Sequence, residues 1–173
     1  MKKIAVIYKS VYGTTKRYAE WIAEGLGAQL FNASEIKPAQ LLDYDVVIYG
    51  GGLYAGGIIG SKLVSKNPVN SLVLFTVGLA TPQTTDYSEI LQKNFTPEQL
   101  KKMKVFHFQG GMDYKKLNIL HRAMMAIMKK ETENTPVDKR SGEDRIFLEA
   151  YGGTMDFTDK NAIKPLLEYV SAL

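Results

Sequence analysis

Four runs along the chain are almost continuously apolar: KKIAVIY (2–8), YDVVIYGG (44–51), NSLVLFTVG (70–78) and MKVFHFQGG (103–111). They are rich in Val, Ile, Phe and Tyr and do not alternate with polar residues. That pattern suits strands covered on both faces, and hence a parallel sheet. A weaker candidate, GAQLFN (27–32), lies between the first two. Between the strands the period changes. Tyr18, Trp21, Ile22, Gly25 and Leu26 recur at helical spacing, one face of an amphipathic helix. Thr96-Pro97-Glu98-Gln99 supplies an N-cap, a proline at the first helical position and a capping-box glutamine. Pro165 sits within the last apolar-periodic segment and predicts a late helix start or a kink there. The alternation of strand and helix predicts an α/β fold, with ligands bound where the strands end.

One stretch breaks the rhythm. After Gly111 come a long helix-like segment, DYKKLNILHRAMMAIMKK, and a polar one, ETENTPVDKRSGED. The chain then returns as IFLEAYGG and closes with a terminal helix. Residues from about 112 to 145 read as an inserted helix and polar loop within one domain spanning 1–173.

Composition adds exclusions. With 45% hydrophobic and 23% charged residues, the chain has the balance of an ordinary globular protein. No apolar run approaches the roughly 18–20 residues that span a bilayer. The apolar stretch behind the N-terminal lysines is shorter than a signal core and reads better as a strand. There are no cysteines, so thiol chemistry and cysteine-bound metals are out, and a cytoplasmic setting is expected. Two histidines do not make a metal site. The net charge of +4 falls short of a nucleic-acid footprint, and no stacking or basic-groove motif accompanies it.

The first turn carries the clearest chemistry. KSVYGTTKRY places Ser10, Val11, Tyr12, Gly13, Thr14 and Thr15 between a strand and a helix. A Walker-type phosphate loop needs a longer glycine spacing ending in Lys and Ser/Thr, which is absent. A dinucleotide fingerprint needs more glycines here, and an acid about 20 residues on. Gly50 to Ala55 spells G-x-G-x-x-A, but it follows a later strand, and 65–85 contains no acid. A third reading is a monophosphate held by hydroxyls and free amides at a helix N-terminus, where the dipole favours an anion. The plain alternative is a capped turn with serine and threonine bonding locally.

S-x-x-G-T-T after the first strand of such a sheet resembles the phosphate loop of flavodoxins. That resemblance implies a doubly wound five-stranded parallel sheet in the order 2-1-3-4-5 and non-covalently bound flavin mononucleotide (FMN). It implies the phosphate on Ser10–Thr15. The ring would lie between Gly51, Gly52, Leu53, Tyr54 and Ala55 of the third-strand loop and Val77, Gly78, Leu79, Ala80 and Thr81 of the fourth. Short electron-carrying flavodoxins are acidic and sandwich the ring between aromatics. This chain is basic, and its fourth-strand loop has no aromatic before Tyr87.

Further along, Gly110-Gly111, Tyr114-Lys115-Lys116, the Met-rich segment from His121 to Lys130, and Asp156-Phe157 resemble the flavodoxin-like menaquinone-dependent protoporphyrinogen IX dehydrogenases. The resemblance implies an FMN-dependent oxidoreductase passing electrons between a small-molecule substrate and a quinone, with Lys115 and Lys116 as candidate partners for substrate carboxylates. Two alternatives remain: a low-potential electron carrier serving a redox protein, and a flavin-free interaction module. On the inserted helix, Leu117, Leu120, Met124, Ile127 and Met128 recur at helical spacing among Lys and Arg. The 112–130 segment could face a membrane surface, a second copy in a homodimer, or its own domain. His121 falls on that apolar face and reads as a packed histidine with one satisfied nitrogen; His107, inside a strand, reads as structural.

Overall fold

A computed structural model describes residues 1–54 and 56–173, with the backbone alone for Gly142 and Glu143. In chain order β1 (Ile4–Lys9), α1 (Thr14–Leu26), β2 (Gln29–Asn32), β3 (Val46–Tyr54), β4 (Gly57–Ile58) and α2 (Lys62–Ser65) make the first half. β5 (Leu72–Gly78), α3 (Ser88–Asn94), α4 (Pro97–Lys102) and β6 (Lys104–Gln109) follow. The chain then forms β7 (Gly111–Asp113), α5 (Ile119–Asn134), α6 (Gly142–Ala150), β8 (Thr154–Asp156) and α7 (Lys164–Ala172).

The main sheet runs β2-β1-β3-β5-β6, and every pair along that path is parallel. With β4 set aside as a two-residue hairpin partner of β3, this is the expected 2-1-3-4-5 order. Alternate residues of each strand feed two cores. Val6, Ile48, Phe75 and Val77 pack with Tyr18 and Ile22 of α1 and Leu166 and Val170 of α7. Ala5, Ile7, Val47, Tyr49 and Leu74 pack on the other face with Leu41, Val64 and Phe95. Burial on both faces is why these runs lack alternation. Each fully buried aliphatic side chain contributes about 2 kcal/mol.

Local signals place the helix ends. Thr96 accepts from the Gln99 N–H at 3.3 Å, and the Gln99 side chain accepts from the Thr96 N–H at 3.0 Å, closing the expected capping box. Pro165 lies in the first turn of α7, so the late start is realised without a kink.

His107 sits on β6 with Nδ1 2.5 Å from Thr76 Oγ1, and its ring stacks on Tyr87 at 3.6 Å and 7°. Burial pushes this imidazole down to about 4. Its folded pKa lies below the unfolded value of about 6.5, so between those pH values the unfolded chain binds more protons. Stability is therefore complete above pH ~6.5 and falls as the pH drops toward 4, by less than the ~3 kcal/mol of the full shift because solvent screens the partly exposed ring. Urea midpoints measured from pH 7 to 4 should show this loss, and His107→Gln should remove most of the slope. An unchanged slope would place the titration elsewhere.

After β6 the chain leaves the sheet and returns beside itself. β7 and β8 pair antiparallel, Gly111 opposite Asp156, and form a two-stranded ribbon. A Cβ on Gly111 would lie 2.5 Å from Met155 O and 2.9 Å from Asp156 Cα, so only glycine permits this backbone approach. α5 begins later than the sequence pattern, at Ile119, because Asn118 caps it by accepting from the His121 N–H at 2.8 Å. The polar stretch is shorter than expected. Ser141 and Asp144 form a capping box, and the IFLEA of the returning segment is the body of α6. α5 packs on α6, yet of its residues only Met125 is buried.

Candidate functional site

A cavity of about 500 Å³ lies at the carboxyl ends of β1, β3, β5 and β6. From the sequence-predicted residues it draws Ser10, Val11, Tyr12, Thr14 and Thr15 of the first turn. Gly52, Leu53 and Tyr54 come from β3, and Val77, Gly78, Leu79 and Ala80 from the end of β5 and beyond. Three strands thus bring their ends to one crevice, as expected beside a switch point.

Other predicted residues do not line it. Gly51 lies on the strand between Gly50 and Gly52 and faces the opposite side, where an added Cβ would meet Ile58 and Ile59 O; the alternation of a strand turns it away. β3 runs on to Tyr54, so the glycines that read as a loop are largely strand. Thr81 is turned into its own loop, its carbonyl accepting from the Thr84 N–H at 3.2 Å and the Thr85 hydroxyl at 2.8 Å. Gly13 stands behind the lining and shapes the turn rather than touching the space. Ala55 lies outside the described residues. Lys115 and Lys116 are also absent from the lining.

The turn has the features of an anion cradle. Gly13 holds φ at +97°, and no side chain caps α1. Ser10 Oγ accepts from the Gly13 N–H at 3.0 Å. The Arg17 N–H donates to Gly13 O at 3.0 Å, leaving the amides before it to point outward as at any helix start. No acid lies in the first turn of α1. Arg17 is committed elsewhere: its guanidinium donates to Asp156 at 2.8 Å and to Thr158 Oγ1 at 2.9 Å. The Thr158 hydroxyl, then Arg17, hold the Asp156 carboxyl down to about 2. Charge here secures the return from the ribbon, and the turn itself offers neutral hydroxyls and amides.

Buried bonds fix the neighbouring walls. The Tyr18 hydroxyl donates to Gln109 O at 2.7 Å and accepts from the Asp159 N–H at 3.1 Å, and burial raises its pKa. Gln109 Nε2 donates to Leu79 O at 3.0 Å, and the Gly110 N–H to Gly78 O at 2.7 Å. A Cβ on Gly110 would lie 2.7 Å from Val77 Cγ1 and 3.3 Å from Thr14 Oγ1, which accounts for the glycine after β6.

The walls missed in the sequence are the outer ones. Thr85, Tyr87 and Ile90 close one side, and Gly110 to Met112 the floor after β6. Leu117, His121, Met124, Met125 and Met128 form a cover from α5 and its approach. The apolar period of that helix points to packing without saying against what. His121 is the packed histidine expected, with Nδ1 hydrogen-bonded to the Tyr12 hydroxyl. Among the described residues there is no cluster of side chains suited to a metal ion, and no helix long and apolar enough to cross a membrane.

A flavodoxin-domain family model matches residues 5–138. An uncharacterized protein of Methanocaldococcus jannaschii is 33% identical over 97 residues, covering 53% of this chain and 65% of that relative. The matched stretch is thus under two thirds of the relative's length. Among solved structures, a flavodoxin from the domain Archaea has a TM-score of 0.47 at 20% identity, over 74% of this chain and 97% of that one. A Fusobacterium nucleatum flavodoxin bound to flavin mononucleotide has a TM-score of 0.45 at 17% identity, over 65% and 72%. With a family match running from β1 through α5, and a parallel sheet in the matching order, the chain belongs to the flavodoxin-domain family.

Proposed function

We propose that the chain binds FMN non-covalently in this cavity and serves as an oxidoreductase for a small molecule, with the layout of the protoporphyrinogen-type dehydrogenases. The fit rests on the donor set. Ser10, Thr14 and Thr15 with the first amides of α1 suit a phosphate monoester dianion. Tyr54 and the Val77–Ala80 segment provide apolar walls for a flat ring, and Gly52 and Gly110 keep Cβ atoms out of the space beside Thr15 and Thr14. When bound, FMN supplies the redox chemistry; the chain supplies placement, hydrogen-bond donors and exclusion of water.

The observation that favours a small-molecule substrate over a protein partner is the cover. A carrier that exchanges electrons with other proteins gains from an open ring edge. Here α5 walls the mouth with Met124, Met125 and Met128, flexible apolar side chains that adapt to varied shapes. Entry past them suits an apolar molecule better than a docked protein surface.

The test is a titration of ligand-free protein with FMN, followed by anaerobic reduction and reoxidation. Quenching of flavin fluorescence at one equivalent is expected, with faster reoxidation by a soluble quinone than by an electron-transfer protein. A protein that is colourless once unbound FMN has been removed would end the flavin reading. One reoxidised only by protein partners would end the enzyme reading and leave the carrier.

A further inference from the structure

We propose that His121 is a positioning residue: it latches α5 over the cavity and, through Tyr12 and Tyr54, fixes two walls against which the ligand lies. The ligand's identity rests on the flavin reading above; the latch itself does not.

Three elements meet at this imidazole. Its Nδ1 is hydrogen-bonded to the Tyr12 hydroxyl, from the turn after β1. The same rings meet edge-on, with centroids 5.3 Å apart at 69°. Its other side lies on Tyr54 at the end of β3, centroids 4.3 Å apart at 48°. One helical turn on, Met124 Sδ accepts from the Tyr54 hydroxyl at 3.1 Å. The Asn118 N–H also donates to the Tyr12 oxygen, at 3.5 Å, so the start of α5 reaches the same hydroxyl as the imidazole. Asn118 also caps α5, so the start of the helix and the turn after β1 are tied together.

Among the described residues, little of α5 is buried. Met125 is its one buried residue, and Ile119, Leu120 and Ile127 are 88%, 64% and 59% exposed. Its packing partner α6 belongs to the same excursion, which joins the sheet through the β7–β8 ribbon. A helix with so few buried apolar contacts opens at low cost. The contacts at His121 therefore carry a large share of the closed state. They also orient Tyr12 and Tyr54, both of which line the cavity.

Hydrogen exchange of the ligand-free protein tests the latch directly. In His121→Ala, amides 119–130 should exchange about tenfold faster, the loss of one hydrogen bond and its ring contacts, while the sheet amides keep the parental rate. His121→Asn, which keeps a hydrogen-bonding group near the Nδ1 position and loses the ring, should restore part of the protection. Tyr12→Phe should undo that restoration, and in the His121→Ala background it should add only the small effect of losing the long Asn118 contact. In FMN-loaded protein the same variants should release FMN faster by a similar factor, and expose it to iodide quenching. Parental exchange of α5 in His121→Ala, or effects of Tyr12→Phe and His121→Ala that simply multiply, would overturn the latch. Failure of the parent to take up FMN would sink the flavin reading instead, with the ligand-free exchange still deciding this one.

Discussion

Gly50→Ala is expected to destabilise the protein by about 3 kcal/mol, lowering the melting temperature by roughly 10 °C for a chain of this size. Gly50 lies in β3 opposite Phe75 of β5, and an added Cβ would overlap that phenyl ring at three carbons. The ring cannot swing aside. Phe75 is fully buried, with Phe108 at 5.7 Å, in the core beneath α1. A close-packed interior transmits such an overlap to strand spacing instead of absorbing it. The diagnostic result is rescue. Phe75→Leu alone leaves a gap and costs stability, but combined with Gly50→Ala it should recover more than half of the loss. Thermal and urea unfolding of the four proteins measure this. A single mutant melting within about 2 °C of the parent would show that the sheet accommodates the methyl.

Gly13→Val is expected to weaken FMN binding by about ten- to a hundredfold, the factor that a conformational cost of this size carries. Nothing lies within 4 Å of a Cβ at this position, so the effect is conformational. With φ at +97° and ψ at −15°, a β-branched residue is held at a cost of about 1–3 kcal/mol. The turn escapes that cost by changing shape, which withdraws the amides at the head of α1. Gly27→Val supplies the control: Gly27 closes the same helix, also left-handed at φ +59° and also with open space around its Cβ. It should lose comparable stability and bind FMN like the parent. Isothermal titration separates the two. Equal affinity in Gly13→Val and the parent would remove the anion cradle from the first turn.

The sheet is readable in the sequence because its strands are buried on both faces. Continuous apolar runs as short as VVIY and LVLF, each closed by glycine or a hydroxyl residue, fit few elements besides a covered strand. Their order comes with the resemblance, and the S-x-x-G-T-T turn marks the inner end of the cavity. Two features stay hidden. β3 reads as ending in its first glycines, because a run of glycine argues against a strand until the residue facing Gly50 is known. That residue is Phe75, distant in sequence. The outer walls are illegible for a similar reason. Periodicity states that α5 has an apolar face, but its partner Tyr12 lies 109 positions from His121. Tyr54 is also far along the chain, and pairings at that range leave no local trace. The same holds for Tyr87, whose ring stacks on His107 of β6.

The two-stranded stem at Gly111 and Asp156 has a consequence for how such a molecule can diversify. Because the segment departs and rejoins at adjacent points, the parallel sheet meets the same two chain ends whatever lies between them. Residues can be added or removed beyond the stem at only the slowly growing entropy of a longer closed loop. The roof of the cavity can thereby change in length and sequence while the strand ends and the first turn beneath it keep their places.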